Sequence, residues 1–268
     1  MTDVTLIQVP YYLGQRDLVL GLGPGPLAEA IGGESVVVER EEPFRNEVGA
    51  SFDLIRGVAR AVRETIAAGR FPLVLAGNCY TSLGTVAGIG RDVGVVWFDA
   101  HGDFNTPETT PTGFFDGFGL AMLTGSGWET LRETVGGVRT VPERNVVLAG
   151  ARDLDPREEE RLAASEVLRP DASTLDAALA DLRTRVDAVY LHVDLDVLDP
   201  SEGIANELAV EDGFTAAELE HAFDSISAGF EIPAAAFTAY DPRFDEAGRV
   251  PPIAARLARR LVPEAVAS

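Results

Sequence analysis

The sequence predicts an α/β fold, with residues 1–268 as one domain around a mainly parallel sheet of about eight strands. Short apolar, β-branched runs alternate with segments of helical periodicity along the whole chain, as in successive βαβ units. The runs are apolar at nearly every position, as strands covered by helices on both faces should be. No repeat and no long low-complexity linker breaks the alternation.

Strands are expected at 4–9, 35–38, 72–76, 93–98, 145–149, 188–193 and 234–239, with a weaker one at 166–168. Phe52, Ile55, Ala59, Val62 and Ile66 step by three and four, which makes one apolar helical stripe. Asp155-Pro156 reads as an N-cap followed by Pro at the first helical position, opening a helix over 157–164. Further helices are expected at 215–228 and 252–261. Two long loops, 104–116 and 199–213, follow strand ends, where sheets of this kind form their sites.

The charge balance narrows the function. The chain carries 43 acidic and 22 basic side chains, a formal net charge of −21, and every basic residue is Arg. Without Lys there is no Schiff-base, pyridoxal phosphate or phosphate-loop Lys chemistry. So acidic a chain is a poor partner for nucleic acid or an anionic membrane surface. Its 46% hydrophobic content suffices for a globular core. No apolar run approaches the ~18 residues of a membrane span, and the N-terminal stretch lacks a signal-peptide pattern. The one cysteine, Cys79, has no internal disulfide partner. A cytoplasmic protein acting on a small molecule is expected.

Two strand ends carry the chemistry. The run Val95-Val96-Trp97-Phe98 leads into Asp99-Ala100-His101-Gly102-Asp103, and Val189-Tyr190-Leu191 leads into His192-Val193-Asp194-Leu195-Asp196. Alternation places Asp99, His101 and Asp103 on one side of an extended chain, and likewise His192, Asp194 and Asp196. Buried carboxylates this dense repel one another unless cations neutralise them. Two divalent ions sharing carboxylates answer that better than one, and a mostly carboxylate set with some imidazole suits Mn²⁺. The bland alternative is a pair of solvated, N-capping turns.

These motifs resemble the arginase–agmatinase–formiminoglutamase family, the ureohydrolases. The stretch from Asp99 through Asp103 and Asn105-Thr106-Pro107 matches one family signature. The stretch from Asp194 to Pro200 matches another, in order and spacing. Gly150-Ala151-Arg152-Asp153-Leu154-Asp155-Pro156 matches a segment between them, and residues 21–27 with Arg45-Asn46-Glu47 look like the N-terminal elements. The resemblance implies a three-layer α/β/α fold with a binuclear manganese cluster. One metal would be held by Cys79, Asp99, Asp103 and Asp194, the other by Asp99, His101, Asp194 and Asp196, with Asp99 and Asp194 bridging. It also implies hydrolysis of a non-peptide C–N bond in a linear amidine or guanidino compound, with a metal-bridging hydroxide as nucleophile and Asp103 accepting its proton. Asn105 and Thr112 match groups that hold a substrate carboxylate, and Asp155 an acid near its amino group. Trimers or hexamers of the chain are expected by the same resemblance.

Three positions depart from the family pattern. Cys79 stands where a His ligand is usual, and is either a ligand or a small buried residue. Asp116 stands where family arginases carry a proton-shuttling His, and is either a proton carrier or a plain loop Asp. Ala239 stands where guanidine-cleaving members place a Glu against the guanidinium, so Tyr240, Asp241 or Glu108 would have to reach in instead. His192 is a spare base, a partner behind the ligands, or a satisfied core histidine. Two rivals stay open: a deacylase-like metallohydrolase on the same fold, and a catalytically silent metal-binding relative.

Overall fold

The computed structural model describes residues 4–261. Seven strands form one all-parallel sheet: β1 (Val4–Val9), β2 (Glu34–Val37), β3 (Phe71–Ala76), β4 (Gly94–Phe98), β5 (Val146–Ala149), β6 (Val189–Asp194) and β7 (Ala235–Thr238), in the order β2-β1-β3-β7-β6-β4-β5. The segment expected at 166–168 contributes only a bridge between Leu168 and Val147 beside β5. Tyr11–Tyr12 and Gln15–Arg16 add a small antiparallel hairpin.

Alternate residues of each central strand feed two apolar layers. Val74, Val95, Trp97, Leu148 and Tyr190 face helices α2 (Glu47–Ala67) and α3 (Ser82–Ile89). Leu73, Val96, Phe98, Leu191 and Phe237 face α1 (Pro24–Ile31), α5 (Leu175–Leu182), α6 (Ala216–Gly229) and α7 (Val250–Leu261). Leu162 of α4 (Pro156–Ala163) joins the first layer. Both faces are thereby covered, which is why the strand sequences read as continuous apolar runs.

Helix ends follow their sequence signals. Asn46 caps α2, its Oδ1 accepting from Gly49 N at 2.7 Å. Thr215 and Glu218 close a capping box on α6. The stripe on α2 is buried at Phe52, Ile55, Ala59 and Val62, while Ile66 emerges at the helix end. Asp155 occupies the N-cap position of α4 with Pro156 at the first helical position, as expected, but its side chain makes no cap bond. Its Oδ2 instead accepts from Asn105 Nδ2 at 2.9 Å.

Parallel strands bring their C-terminal ends to one edge of the sheet, and β3, β7, β6 and β4 are successive neighbours there. The chain runs from β3 to β4 past the gap that β6 and β7 later fill, a switch point where a crevice opens. The N-terminal segment packs closely against this edge: a Cβ at Gly77 would press into the Tyr11 carbonyl oxygen and come within 2.8 Å of Gly21 N. Gly77→Ala should therefore cost about 1–3 kcal/mol, read as a lower midpoint in chemical denaturation.

Candidate metal centre

Each site residue is delivered by a strand end. Beyond β3, Gly77 and Asn78 lead into a single helical turn, Cys79–Thr81. Asn78 fixes this turn, with Oδ1 accepting from Leu13 N at 2.8 Å and Nδ2 donating to Asp116 Oδ2 at 2.6 Å. Asp99 directly follows β4 and Asp194 ends β6. Asp194 then caps the turn Leu195–Val197, its Oδ1 accepting from Asp196 N at 2.9 Å. That tight turn brings Asp196 back beside Asp194.

Two groups of donors result. Cys79, Asp99 and Asp194 place ligand atoms within 4.8 Å of one another, and so do Asp99, His101 and Asp196. Cys79 Sγ lies 3.0 Å from Asp194 Oδ2, and His101 Nδ1 lies 3.3 Å from Asp99 Oδ1 and 3.4 Å from Asp196 Oδ2. Asp99 belongs to both groups. Asp103 stands beside them, turned by a left-handed backbone (φ 47°) rather than continuing an extended chain. Its buried Oδ2 has no hydrogen-bond partner.

The electrostatics are severe. Burial, then repulsion from neighbouring acids, pushes the carboxyl groups of Asp103 and Asp194 well above the usual range. Burial raises Asp99 as well and drives the Cys79 thiol up, with Asp194 adding to it. Burial alone would lower His101, but Asp196 and Asp99 outweigh it and push the ring up to about 12. The guanidinium near the site gives little relief, because Arg152 donates to the carbonyls of Gly150, Asp196, Val210 and Glu211. Four buried carboxylates, one imidazole and one thiol, with one carboxylate oxygen unpartnered, suit divalent cations.

Other side chains hold the acids from behind. Trp97 Nε1 donates to Asp99 Oδ2 at 3.0 Å, and Ala100 N to Asp196 Oδ1 at 3.2 Å. Asn206 Nδ2 donates to Asp196 Oδ2 at 3.2 Å and to the Ala239 carbonyl at 2.8 Å. Sequence reasoning missed Asn206, which sits in the 199–213 loop without a motif around it.

The donors open onto a cavity of about 170 Å³ lined by Cys79, His101, Asp103, Asn105, Thr112, Asp116, Asp155, Asp194, Asp196 and Ala239 among others. The expected substrate-binding residues Asn105, Thr112 and Asp155 thus line the same cavity as the ligand candidates. Burial pushes Asp116 up to about 7, although Asn78 and the Tyr80 amide hold it down. His192 does not face the cavity. It is fully buried, stacked on Trp97 and bonded to Tyr190 and Thr238, which corrects the expectation of a catalytic base. Tyr240, Asp241 and Glu108 do not line the cavity either. Tyr240 Oη donates to Asp245 Oδ2 at 3.2 Å, Asp241 is gripped by Arg243, and Glu108 is exposed. Ala239 presents only a methyl.

The family model described as the arginase family matches residues 28–266. The arginase of Bacillus caldovelox is 30% identical over 96% of this chain and 97% of its own. Its native crystal structure superposes with a TM-score of 0.88, covering 100% of both chains at 28% identity. The arginase of Bacillus subtilis is 29% identical over 97% of each chain. The formimidoylglutamase of Bacillus subtilis shares the fold at a TM-score of 0.75 and 18% identity, over 97% of this chain and 86% of that one.

The raised groups set a pH dependence. Between the usual carboxylate range and about 7, folded Asp116 holds a proton that the unfolded chain has lost. His101 does the same from about 6.5 upward. Wherever the folded state binds more protons, stability falls as pH rises. The melting temperature of metal-free protein should therefore drop from pH 5 to pH 8. Added Mn²⁺ should stabilise more at pH 8 than at pH 5, measured by thermal unfolding with and without the ion.

Proposed function

The chain belongs to the arginase family of hydrolases acting on C–N bonds other than peptide bonds, and we propose that its cavity hydrolyses such a bond in a linear amidine or guanidino-type compound. The observation that carries this reading is that Cys79, His101, Asp103, Asp194 and Asp196 line one small acidic cavity, with buried Asp99 common to both donor groups and Asp103 Oδ2 unpartnered. We assign these six side chains as ligands of two divalent ions, Mn²⁺ foremost, with Asp99 and Asp194 shared. When bound, the ions would offset the carboxylate charge and would supply Lewis-acid activation of water near neutral pH.

The chain's own residues do the rest. Asp103 Oδ2, free of hydrogen bonds and at the cavity wall, accepts the attacking water's proton. Asp116, with a pKa raised to about 7 by burial, is poised to carry a proton to the leaving nitrogen at neutral pH. The acids of the lining outside the proposed ligand set are Asp116, Asp153, Asp155 and Glu158. Their charge favours a cationic head group over an anionic one. The Asn105–Asp155 pair offers a donor and acceptors for the polar far end of the substrate. Ala239 leaves the head group without the carboxylate that the family pattern places there, so the remaining buried acids of the lining, Asp116 and Glu158, are the candidates to face it.

Two experiments test the reading. Metal-loaded protein should hold two ions per chain by elemental analysis and release urea, ammonia or formamide from some guanidino, amidino or formimino compound. Asp194→Ala should lose the ions and the activity together, and hydrolysis that survives in metal-free protein would overturn the proposal. Asp116→Asn should keep both ions while lowering kcat by roughly 10²–10⁴-fold. An unchanged rate would remove Asp116 from the mechanism.

A further inference from the structure

Behind the cavity, a line of buried polar side chains ends on the Cys79 sulfur. Tyr190 Oη lies 2.9 Å from His192 Nδ1, His192 Nε2 lies 3.2 Å from Thr238 Oγ1, and Thr238 Oγ1 lies 3.1 Å from Cys79 Sγ. Tyr190, His192 and Thr238 are wholly buried, and none of them lines the cavity. The line crosses three adjacent strands. Tyr190 and His192 belong to β6, Thr238 belongs to β7, and Cys79 follows β3, with Thr238 in register with both Asp194 and Ala76. The His192 ring is clamped against Trp97 at a centroid distance of 3.5 Å and an interplanar angle of 15°. Polar groups this deep are costly unless satisfied, and apolar residues could fill the same space. Three of them in series, directed at one sulfur, call for a role at that sulfur.

Donor and acceptor counts give the line a direction. The Cys79 thiol donates to Asp194 Oδ2 at 3.0 Å, which leaves the sulfur lone pairs free to accept. The Thr238 hydroxyl has one hydrogen and two acceptors in reach, Cys79 Sγ at 3.1 Å and the Val193 carbonyl at a longer 3.4 Å; given to the nearer Sγ, it leaves Oγ1 to accept from His192 Nε2–H. The neutral imidazole then accepts at Nδ1 from the Tyr190 hydroxyl. Every polar atom of the line is satisfied in this orientation. A thiolate accepts the same hydrogen bond, so nothing in the line has to turn when a cation replaces the thiol proton.

We propose that Thr238, held by His192 and Tyr190, is a positioning residue that aims its hydroxyl at the Cys79 sulfur and fixes that sulfur as a metal ligand. The proposal rests on the reading of Cys79 as a ligand given above. It makes the buried histidine part of the metal site's support rather than of its chemistry.

The test uses full-length metal-free protein titrated with Co²⁺, whose bond to sulfur gives a near-ultraviolet charge-transfer band. The wild-type protein should show the band and Cys79→Ser should lack it. Thr238→Val should shift or weaken the band and loosen Co²⁺ binding by roughly 10–100-fold, as loss of a partner behind a ligand does elsewhere. Thr238→Ser, which keeps the hydroxyl, should restore both, and Tyr190→Phe should give a smaller loss of affinity. A purely structural Thr238 would lower the melting temperature of the metal-free protein without moving the band. A wild-type band and affinity in Thr238→Val overturn the relay while leaving Cys79 a ligand. Should that variant fail to fold, Tyr190→Phe with unchanged binding has the same force. Absence of the band from wild-type protein overturns the ligand reading itself, and the relay with it.

Discussion

Asp99, Asp103, Asp194 and Asp196 stand at the tips of two hydrogen-bonded parallel strands with no more than 7% exposure each. Parallel pairing makes the crowding unavoidable. β4 and β6 run in the same direction, with Phe98 opposite Val193, so the residues that follow them emerge side by side. The protein relieves part of the repulsion with backbone amides: His101 N donates to Asp99 and Asp196 N to Asp194. The Trp97 indole and the His101 ring relieve some more. What is left appears as carboxyl groups pushed far up and as an Asp103 oxygen with no partner. Removing carboxylates from water costs several kcal/mol each unless opposite charge replaces the hydration. The site thus asks for cations for the same reason that the sheet is parallel.

That logic also explains what could be read in the sequence. Strands buried on both faces announce themselves as unbroken apolar runs, so β1, β3, β4, β5, β6 and β7 were legible from composition alone. Ligand candidates were legible because they follow such runs at short spacing. The weaker cases have physical reasons. The 166–168 segment lies outside β5, where one bridge to Val147 is all the pairing available. Asp155 has the residue type and position of an N-cap, but Asn105, fifty residues away, offers its carboxylate a partner. Asn206 and Thr238 left no local signal, since their partners, Asp196 and Ala239 for one and Cys79 and His192 for the other, are brought to them only by the fold.

The three departures from the family pattern are spread unevenly over the site. Cys79 follows β3 and Ala239 follows β7, two neighbouring strands. Asp116 lies beside them, its carboxylate bonded to Asn78 and to the Tyr80 amide. The ends of β4 and β6, which carry Asp99 to Asp103 and Asp194 to Asp196, keep the whole acidic set. The departures thus cluster at the ends of β3 and β7 and at Asp116 beside them. The acidic set itself is intact, with Cys79 directly against it, its sulfur 3.0 Å from Asp194 Oδ2. The carboxylate crowding is thus kept whole while its immediate neighbours differ from the family pattern.

Ala239 shows how such a change is accommodated. Its backbone is left-handed (φ 60°), a conformation that L side chains rarely adopt. The turn points its carbonyl at Asn206, which donates there at 2.8 Å and to Asp196 at 3.2 Å. The amide of Ala239 remains tied to the end of β3 through Ala76 O at 3.2 Å. Residue 239 thus supports the ligand Asp196 through its main chain, whatever its side chain may be. Its side chain takes no part in these bonds and is one of the residues lining the cavity. The main-chain bonds of residue 239 to Ala76 and Asn206 are independent of its side chain, so the cavity lining can vary at this position while Asn206 keeps its hold on Asp196.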